Sequence, residues 1–179
     1  MHRVLVTGGC GYIGSALIPL LLADDRVDEV RLLDSLESGS PGALVGAVSE
    51  GGLEFHGGDV RSQADVRAAV DGTDAVIHLA AITGAATTHD REDETFSTNL
   101  EGTKTLLRAA VDAGVERFVF ASSCNVYGRA TAENLSESAE PEPINPYAES
   151  KVEAERFIRE SIDGEPMTAT SLRMSTVYG

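Results

Sequence analysis

The chain is poor in the residues that would commit it to several kinds of chemistry. Cysteine occurs twice in 179 residues, at Cys10 and Cys124, in separate motifs and not as a CxxC pair, so no disulfide framework is expected. Four scattered histidines supply no ligand set for zinc or another metal. Basic residues are few: 14 Lys and Arg stand against 29 Asp and Glu, a formal net charge of −15 that would repel nucleic acid. Any anionic ligand must therefore be held by local donors, against the overall field. No apolar run reaches the length of a bilayer span, and the N-terminus enters a strand rather than a signal sequence. The chain reads as cytoplasmic, without a membrane partner, and the Asn134-Leu-Ser sequon then carries no weight. Neither a repeat nor a dividing linker is present, which predicts one domain over residues 1–179.

What is present is an alternation of strand-like and helix-like segments. Strands are expected at Val4–Thr7, Val30–Leu33, Leu53–Phe55, Ala75–Ala81, Arg117–Ala121 and Thr168–Met174. Helices are expected at Ser15–Ala23, at Ser62–Val70 with Ser62 as N-cap, from about Glu92 to Ala113 closed by Gly114, and at Tyr147–Ile162. Residues 129–146 read as an acidic, proline-containing loop, and Pro19 is a misfit that should kink the first helix. Apolar strands without polar alternation, joined by helices, predict an α/β fold: a Rossmann-type doubly wound parallel sheet with helices on both faces.

Gly8, Gly11 and Gly14 lie between the first strand and the first helix. Glycines there allow a tight turn and let main-chain N–H groups approach a pyrophosphate at the positive end of the helix. Asp34 follows twenty residues after Gly14, at the end of the second strand. A carboxylate there accepts hydrogen bonds from ribose hydroxyls and repels a 2′-phosphate, which favours NAD over NADP. Arg31 precedes it, but alternation along a strand need not turn it toward the site. Asp59 and Val60 should sit by the adenine, and Leu79, Ala80 and Ala81 should line the dinucleotide crevice, since ligands bind at the carboxyl ends of the strands.

Tyr147 and Lys151 stand four residues apart, on one face of the predicted helix. A free phenol titrates near pH 10, and an ammonium one turn away is expected to lower that value. Tyr147 could then exchange a proton with a substrate hydroxyl while hydride moves to or from the adjoining carbon, with Ser122 or Ser123 bonding the same oxygen.

These segments resemble the extended short-chain dehydrogenase/reductases, in particular the NAD-dependent sugar epimerase/dehydratase branch. The resemblance rests on Thr7-Gly-Gly-Cys-Gly-Tyr-Ile-Gly14, Asp34-Ser-Leu-Glu-Ser-Gly39, Asp59-Val60, His78-Leu-Ala-Ala81, Asn99-Leu-Glu-Gly-Thr103, Ala121-Ser-Ser-Cys-Asn-Val-Tyr-Gly128, Asn145-Pro-Tyr-Ala-Glu-Ser-Lys151 and Leu172-Arg-Met-Ser-Thr-Val-Tyr-Gly179. It implies that Tyr147 is the acid/base, that Lys151 lowers its pKa and binds the nicotinamide ribose, and that Ser123 is the catalytic serine. It further implies that Asn99 lies near the cofactor, that Tyr12 and Ile13 cover the pyrophosphate, and that Thr83 lies by the nicotinamide ribose. Faces of the long helix and of the Tyr147 helix resemble those that pair into a four-helix homodimer interface.

Sugar 4,6-dehydratases of the family usually carry Asp-Glu after the strand-five serine or threonine. Cys124-Asn125 stands there instead, which favours a UDP- or dTDP-sugar 4-epimerase-like activity over a dehydratase; a ketoreductase shares the same minimal set. His89, Asp90 and Glu92 read as a solvated helix start. The family's C-terminal substrate domain is expected to be missing after Gly179. That leaves a fragment of a longer enzyme, a half completed by a second polypeptide, or a short NAD-binding or NAD-sensing module without turnover. Uncovered apolar surface near the crevice would then promote self-association.

Overall fold

The computed structural model describes residues 2–44, 51–129, 135–175 and 177. Six strands form one sheet: β1 His2–Thr7, β2 Val27–Asp34, β3 Leu53–Gly57, β4 Ala75–His78, β5 Arg117–Ser123 and β6 Thr168–Met174. All neighbours pair in parallel, in the order β3-β2-β1-β4-β5-β6. The chain winds outward from β1 to β3, then crosses back to β4 and winds the other way. A crevice therefore opens between the ends of β1 and β4, where the strand order reverses.

The helices are α1 Tyr12–Leu22, α2 Gln63–Val70, α3 Ala85–His89, α4 Glu92–Phe96, α5 Gly102–Asp112 and α6 Pro146–Ser161. Residues on successive strand positions point to opposite faces, so Leu5 joins a core with Val66, Leu106, Phe118 and Ile158 under α2, α5 and α6. Val4 and Val6 join Ile18, Leu32 and Leu44 under α1 on the other face. This is the doubly wound α/β arrangement expected. On the face away from Phe118 and Phe120, Leu172 of β6 pairs with Ala121 and is 44 % exposed.

Two element boundaries depart from expectation. The β4 ladder stops at His78 rather than Ala81 because its partner β1 ends at Thr7. Gly8, at φ +71°, then crosses so close that a Cβ on it would lie 2.5 Å from the Ala80 Cα. The long helix is divided into α4 and α5 by a π-helical turn at Ser97–Glu101, and α3 precedes it unforeseen. Gly102 packs against Val60, where a Cβ would meet the Val60 Cγ2 at 2.7 Å, while the extra backbone residue of the turn accompanies the inward placement of Asn99. As expected, α1 includes Pro19, whose carbonyl accepts the Ala23 N–H.

Other local expectations are met. The Ser62 hydroxyl accepts the Asp65 N–H and caps α2, and Gly114 takes φ +73° after α5. Arg31 turns from the crevice to Glu29, Glu54 and the carbonyls of Ala69 and Asp71. Cys10 is buried and Cys124 exposed, both as free thiols. The Asn134 sequon, part of the acidic loop, and Thr176, Tyr178 and Gly179 of the C-terminal motif lie outside the described residues. No helix among the described residues is long and apolar enough to cross a membrane.

Candidate active site

A cavity of about 520 Å³ opens at the carboxyl ends of the strands. Its floor is the glycine loop, in which each glycine has a different task. Gly8 supplies a positive φ, and a Cβ on Gly14 would lie 2.3 Å from the Gly9 Cα, so helix and turn touch directly. Gly11 meets only the Gly8 carbonyl at 3.2 Å and stays open toward the cavity. It also caps α1, whose first turn carries neither a side-chain cap nor an acidic residue. The positive end of the helix therefore faces the cavity, with Tyr12 and Ile13 beside it.

Asp34 lines the next part of the wall and is 8 % exposed. One carboxylate oxygen accepts the Cys10 N–H at 2.9 Å, and the other accepts the Leu36 N–H at 2.8 Å. Asp34 thus binds the glycine loop to the turn after β2, where Leu36 is held at φ +60°. Burial and the neighbouring Asp34 push the Cys10 thiol up to about 11, which keeps it protonated and unreactive. At the far end Arg61 reaches both oxygens of Asp59 and lies 3.5 Å from Glu37. That guanidinium holds the Asp59 carboxyl below the usual range.

Leu79, Ala80, Ala81 and the exposed Thr83 form the opposite wall. Asn99 does not line the cavity: it is fully buried and acts on the wall from behind. Its side-chain oxygen accepts the Ile82 N–H at 2.8 Å, while its amide donates to the Ile82 carbonyl and to the Ser150 hydroxyl. The neighbouring Thr98 does line the cavity, and its buried hydroxyl has no hydrogen-bond partner among the described residues.

A polar chain crosses the core beneath this wall. Thr103 donates to the Asn99 carbonyl, so it must accept from His78 Nε2; His78 Nδ1 then accepts from Thr7, which accepts the Ala80 N–H. The connectivity fixes the tautomer, and burial holds His78 down to about 3, neutral at ordinary pH.

Ser122, Ser123, Tyr147 and Lys151 close the cavity. Asn145 caps α6 by accepting the Ala148 N–H, and Pro146 occupies the first turn, which aims Tyr147 inward. Ser123 ends β5, and its hydroxyl accepts the Asn125 N–H at 3.2 Å. Lys151 is 2 % exposed. Its ammonium donates to the Ala121 carbonyl at 2.8 Å and lies 4.6 Å from the Phe120 ring centre and 5.8 Å from that of Tyr147.

The expected acidification of Tyr147 by Lys151 is not what this geometry produces. Burial pushes the phenol above its ordinary value, a hydrogen bond with Ser123 opposes this, and Cys124 adds to the rise. Burial also brings the Lys151 ammonium down to about 7, with Glu155 opposing. Both groups sit where a charge is desolvated, so each favours its neutral form. Sequence reasoning also missed Ser35, Glu37, Ser38, Gly39, Gly58 and Arg61, which line the cavity through loops after β2 and β3. Gly39 carries a readable signal only in hindsight: a Cβ there would meet the Cys10 carbonyl at 2.7 Å.

Residues 4–179 match the NAD dependent epimerase/dehydratase family. A 3-beta-hydroxysteroid dehydrogenase of Mycolicibacterium neoaurum is 36 % identical over 188 residues, covering 100 % of this chain and 48 % of the relative. The dTDP-glucose 4,6-dehydratase of Streptomyces venezuelae, solved with NAD and TYD bound, superposes with a TM-score of 0.91 at 36 % identity, over 96 % of this chain and 55 % of that one. The UDP-glucose 4-epimerase of Thermus thermophilus, solved with NAD, gives 0.86 at 34 % identity over 96 % and 54 %. The chain spans about half the length of the curated relatives it matches. With its strand order, its glycine loop and a family match over nearly its whole length, the chain belongs to the NAD dependent epimerase/dehydratase family.

Proposed function

We propose that residues 1–179 form the NAD-binding half of a nucleotide-sugar epimerase-like oxidoreductase acting on a carbinol or ketone carbon. The observation that carries this reading is that Ser123, Tyr147 and Lys151 open into the same cavity as Gly8, Gly11, Gly14 and Asp34. The N-terminal end of α1, which opens on the cavity, suits a pyrophosphate, and Tyr12 and Ile13 would flank it. Asp34 suits the adenosine ribose, with Asp59 and Val60 toward the adenine. Arg61, which lines the cavity, is paired with Asp59, which disfavours a 2′-phosphate. Leu79, Ala80, Ala81 and Thr83 would lie along the dinucleotide, and the Thr98 hydroxyl has bonding capacity to offer it. Asn99 would act by fixing Ile82.

Bound there, NAD supplies the hydride acceptor, and its reduced form the donor. Tyr147 holds a proton at its phenolic oxygen, and a phenol kept neutral by burial is the form that can donate to a ketone oxygen. Ser123 would bond the same oxygen, and Lys151 would bond the nicotinamide ribose. Epimerisation and ketone reduction need only this set. Water elimination needs an added acid and base, and the exposed Cys124 and Asn125 provide no carboxylate there.

A second reading, oxidation of a hydroxysteroid, is favoured by the identity to the 3-beta-hydroxysteroid dehydrogenase. The test is to incubate the chain with NAD and UDP-glucose, dTDP-glucose or a 3β-hydroxysteroid, and to follow products by NMR and NADH by absorbance. A sugar epimer is expected from the wild type, with a loss of about 100-fold or more in Tyr147→Phe. Full activity of Tyr147→Phe, or NADH formed with the steroid alone, would overturn the epimerase assignment.

A further inference from the structure

Behind the cavity wall, α6 makes a second attachment to the end of β5. Lys151 donates to the Ala121 carbonyl, and one helical turn later Glu155 accepts from the hydroxyl of the next residue, Ser122. Glu155 is itself clamped. Arg173, directly across from Ser122 in the β5–β6 register, donates through Nε to both Glu155 oxygens and through Nη2 to one of them at 2.7 Å. The remaining guanidinium nitrogen donates to the Tyr127 hydroxyl at 2.8 Å and to the Glu137 carbonyl at 3.2 Å, and the guanidinium lies 4.9 Å from the Tyr127 ring centre. Glu155 is 8 % exposed, so this is a desolvated pair with its oxygens filled by donors.

We propose that Glu155, clamped by Arg173, is a positioning residue that holds the Lys151 ammonium and the Ala121–Ser123 strand end in the geometry the cavity presents. The inference rests on the reading of Lys151 as part of the active machinery. Removal of either clamp partner changes the electrostatic setting of Lys151 in a signed way. Around that ammonium stand Tyr147 and Glu155 from α6, neutral His78 from β4 and the apolar Phe120 of β5, while Arg173 of β6 bonds the Glu155 carboxylate. Glu155 is the carboxylate that favours its charged form, and Arg173, by donating to both Glu155 oxygens, neutralises part of that carboxylate's charge. The two variants Glu155→Gln and Arg173→Met are therefore expected to act in opposite directions.

The experiment is an NMR titration of the Lys151 side chain in the whole 179-residue chain, with lysine labelled at the ε position and Lys151→Met used for assignment. Glu155→Gln should lower the titration midpoint by roughly one unit, and Arg173→Met should raise it. A purely architectural role would move both variants the same way or neither, and either result would overturn the proposal. Should Arg173→Met fail to fold, because it leaves a buried carboxylate unpaired, the Glu155→Gln/Arg173→Met double variant replaces it and should share the midpoint of Glu155→Gln. Binding of NAD is measured alongside. Midpoints that move as expected in a chain that binds no NAD support the clamp and reject the functional reading; NAD binding with unmoved midpoints does the reverse.

Discussion

Tyr147 and Lys151 sit four residues apart, and the simple expectation is that the ammonium acidifies the phenol. Burial wins instead: desolvation moves each group toward its neutral form, and the ammonium donates to the Ala121 carbonyl. Spacing revealed which residues meet, because an i, i+4 relation is local. It could not reveal their charge, which depends on Phe120, Ser123 and Glu155 arriving from other parts of the chain. His78 was likewise legible only as part of a motif, and its partners Thr7 and Thr103 lie 71 and 25 residues away.

The folded imidazole titrates near 3 and an unfolded one near 6.5. Below pH 6.5 the unfolded chain binds a proton that the folded chain refuses. This contribution to stability is therefore complete above 6.5 and lost as pH falls toward 3, at up to about 1.4 kcal/mol per pH unit. Denaturant unfolding between pH 6 and 4 should show a slope shallower by roughly that amount in His78→Gln; an unchanged slope would count against a neutral buried His78. Asp34→Ala removes two hydrogen bonds to loop N–H groups and should lower stability by about 1–3 kcal/mol, measured by the same unfolding, and weaken NAD about tenfold by calorimetry.

Among the elements, the strands and α1, α2 and α6 follow from apolar runs, caps and glycines that are written within a few residues. The division of the long helix does not. Its sequence is helical throughout, and the π turn is tied to contacts made at a distance, with Val60 against Gly102 and Ile82 against Asn99. Asn99→Ala should release Ile82 and the Thr83 wall while leaving the sheet intact. Faster amide exchange is expected at residues 79–84 with little change in β1 or β5, and uniform exchange across the sheet would contradict this. Gly14→Ala should fail differently: its Cβ would drive α1 from the glycine turn, at about 1–3 kcal/mol in thermal or urea unfolding, and abolish NAD binding.

For the molecule as a whole, alternation of strands and helices carried the parallel sheet, and the glycine loop followed by Asp34 carried the location of the cavity. The exposure of Leu172 on the edge strand β6 could not be read from local pattern, since it depends on the order of the strands in the sheet. With Leu172 exposed on an edge strand, light scattering at rising concentration should report self-association that a Leu172→Lys substitution reduces; a monomer throughout would contradict it.

The account depends above all on one cavity accepting one dinucleotide. Isothermal titration of the chain with NAD, repeated with NADP and with Gly14→Ala, tests this most directly. One site per chain is expected, with NAD at least about tenfold tighter than NADP and no binding to the variant. An absence of heat with both NAD and NADH in a folded wild type, or equal affinity in the Gly14→Ala chain, would contradict it.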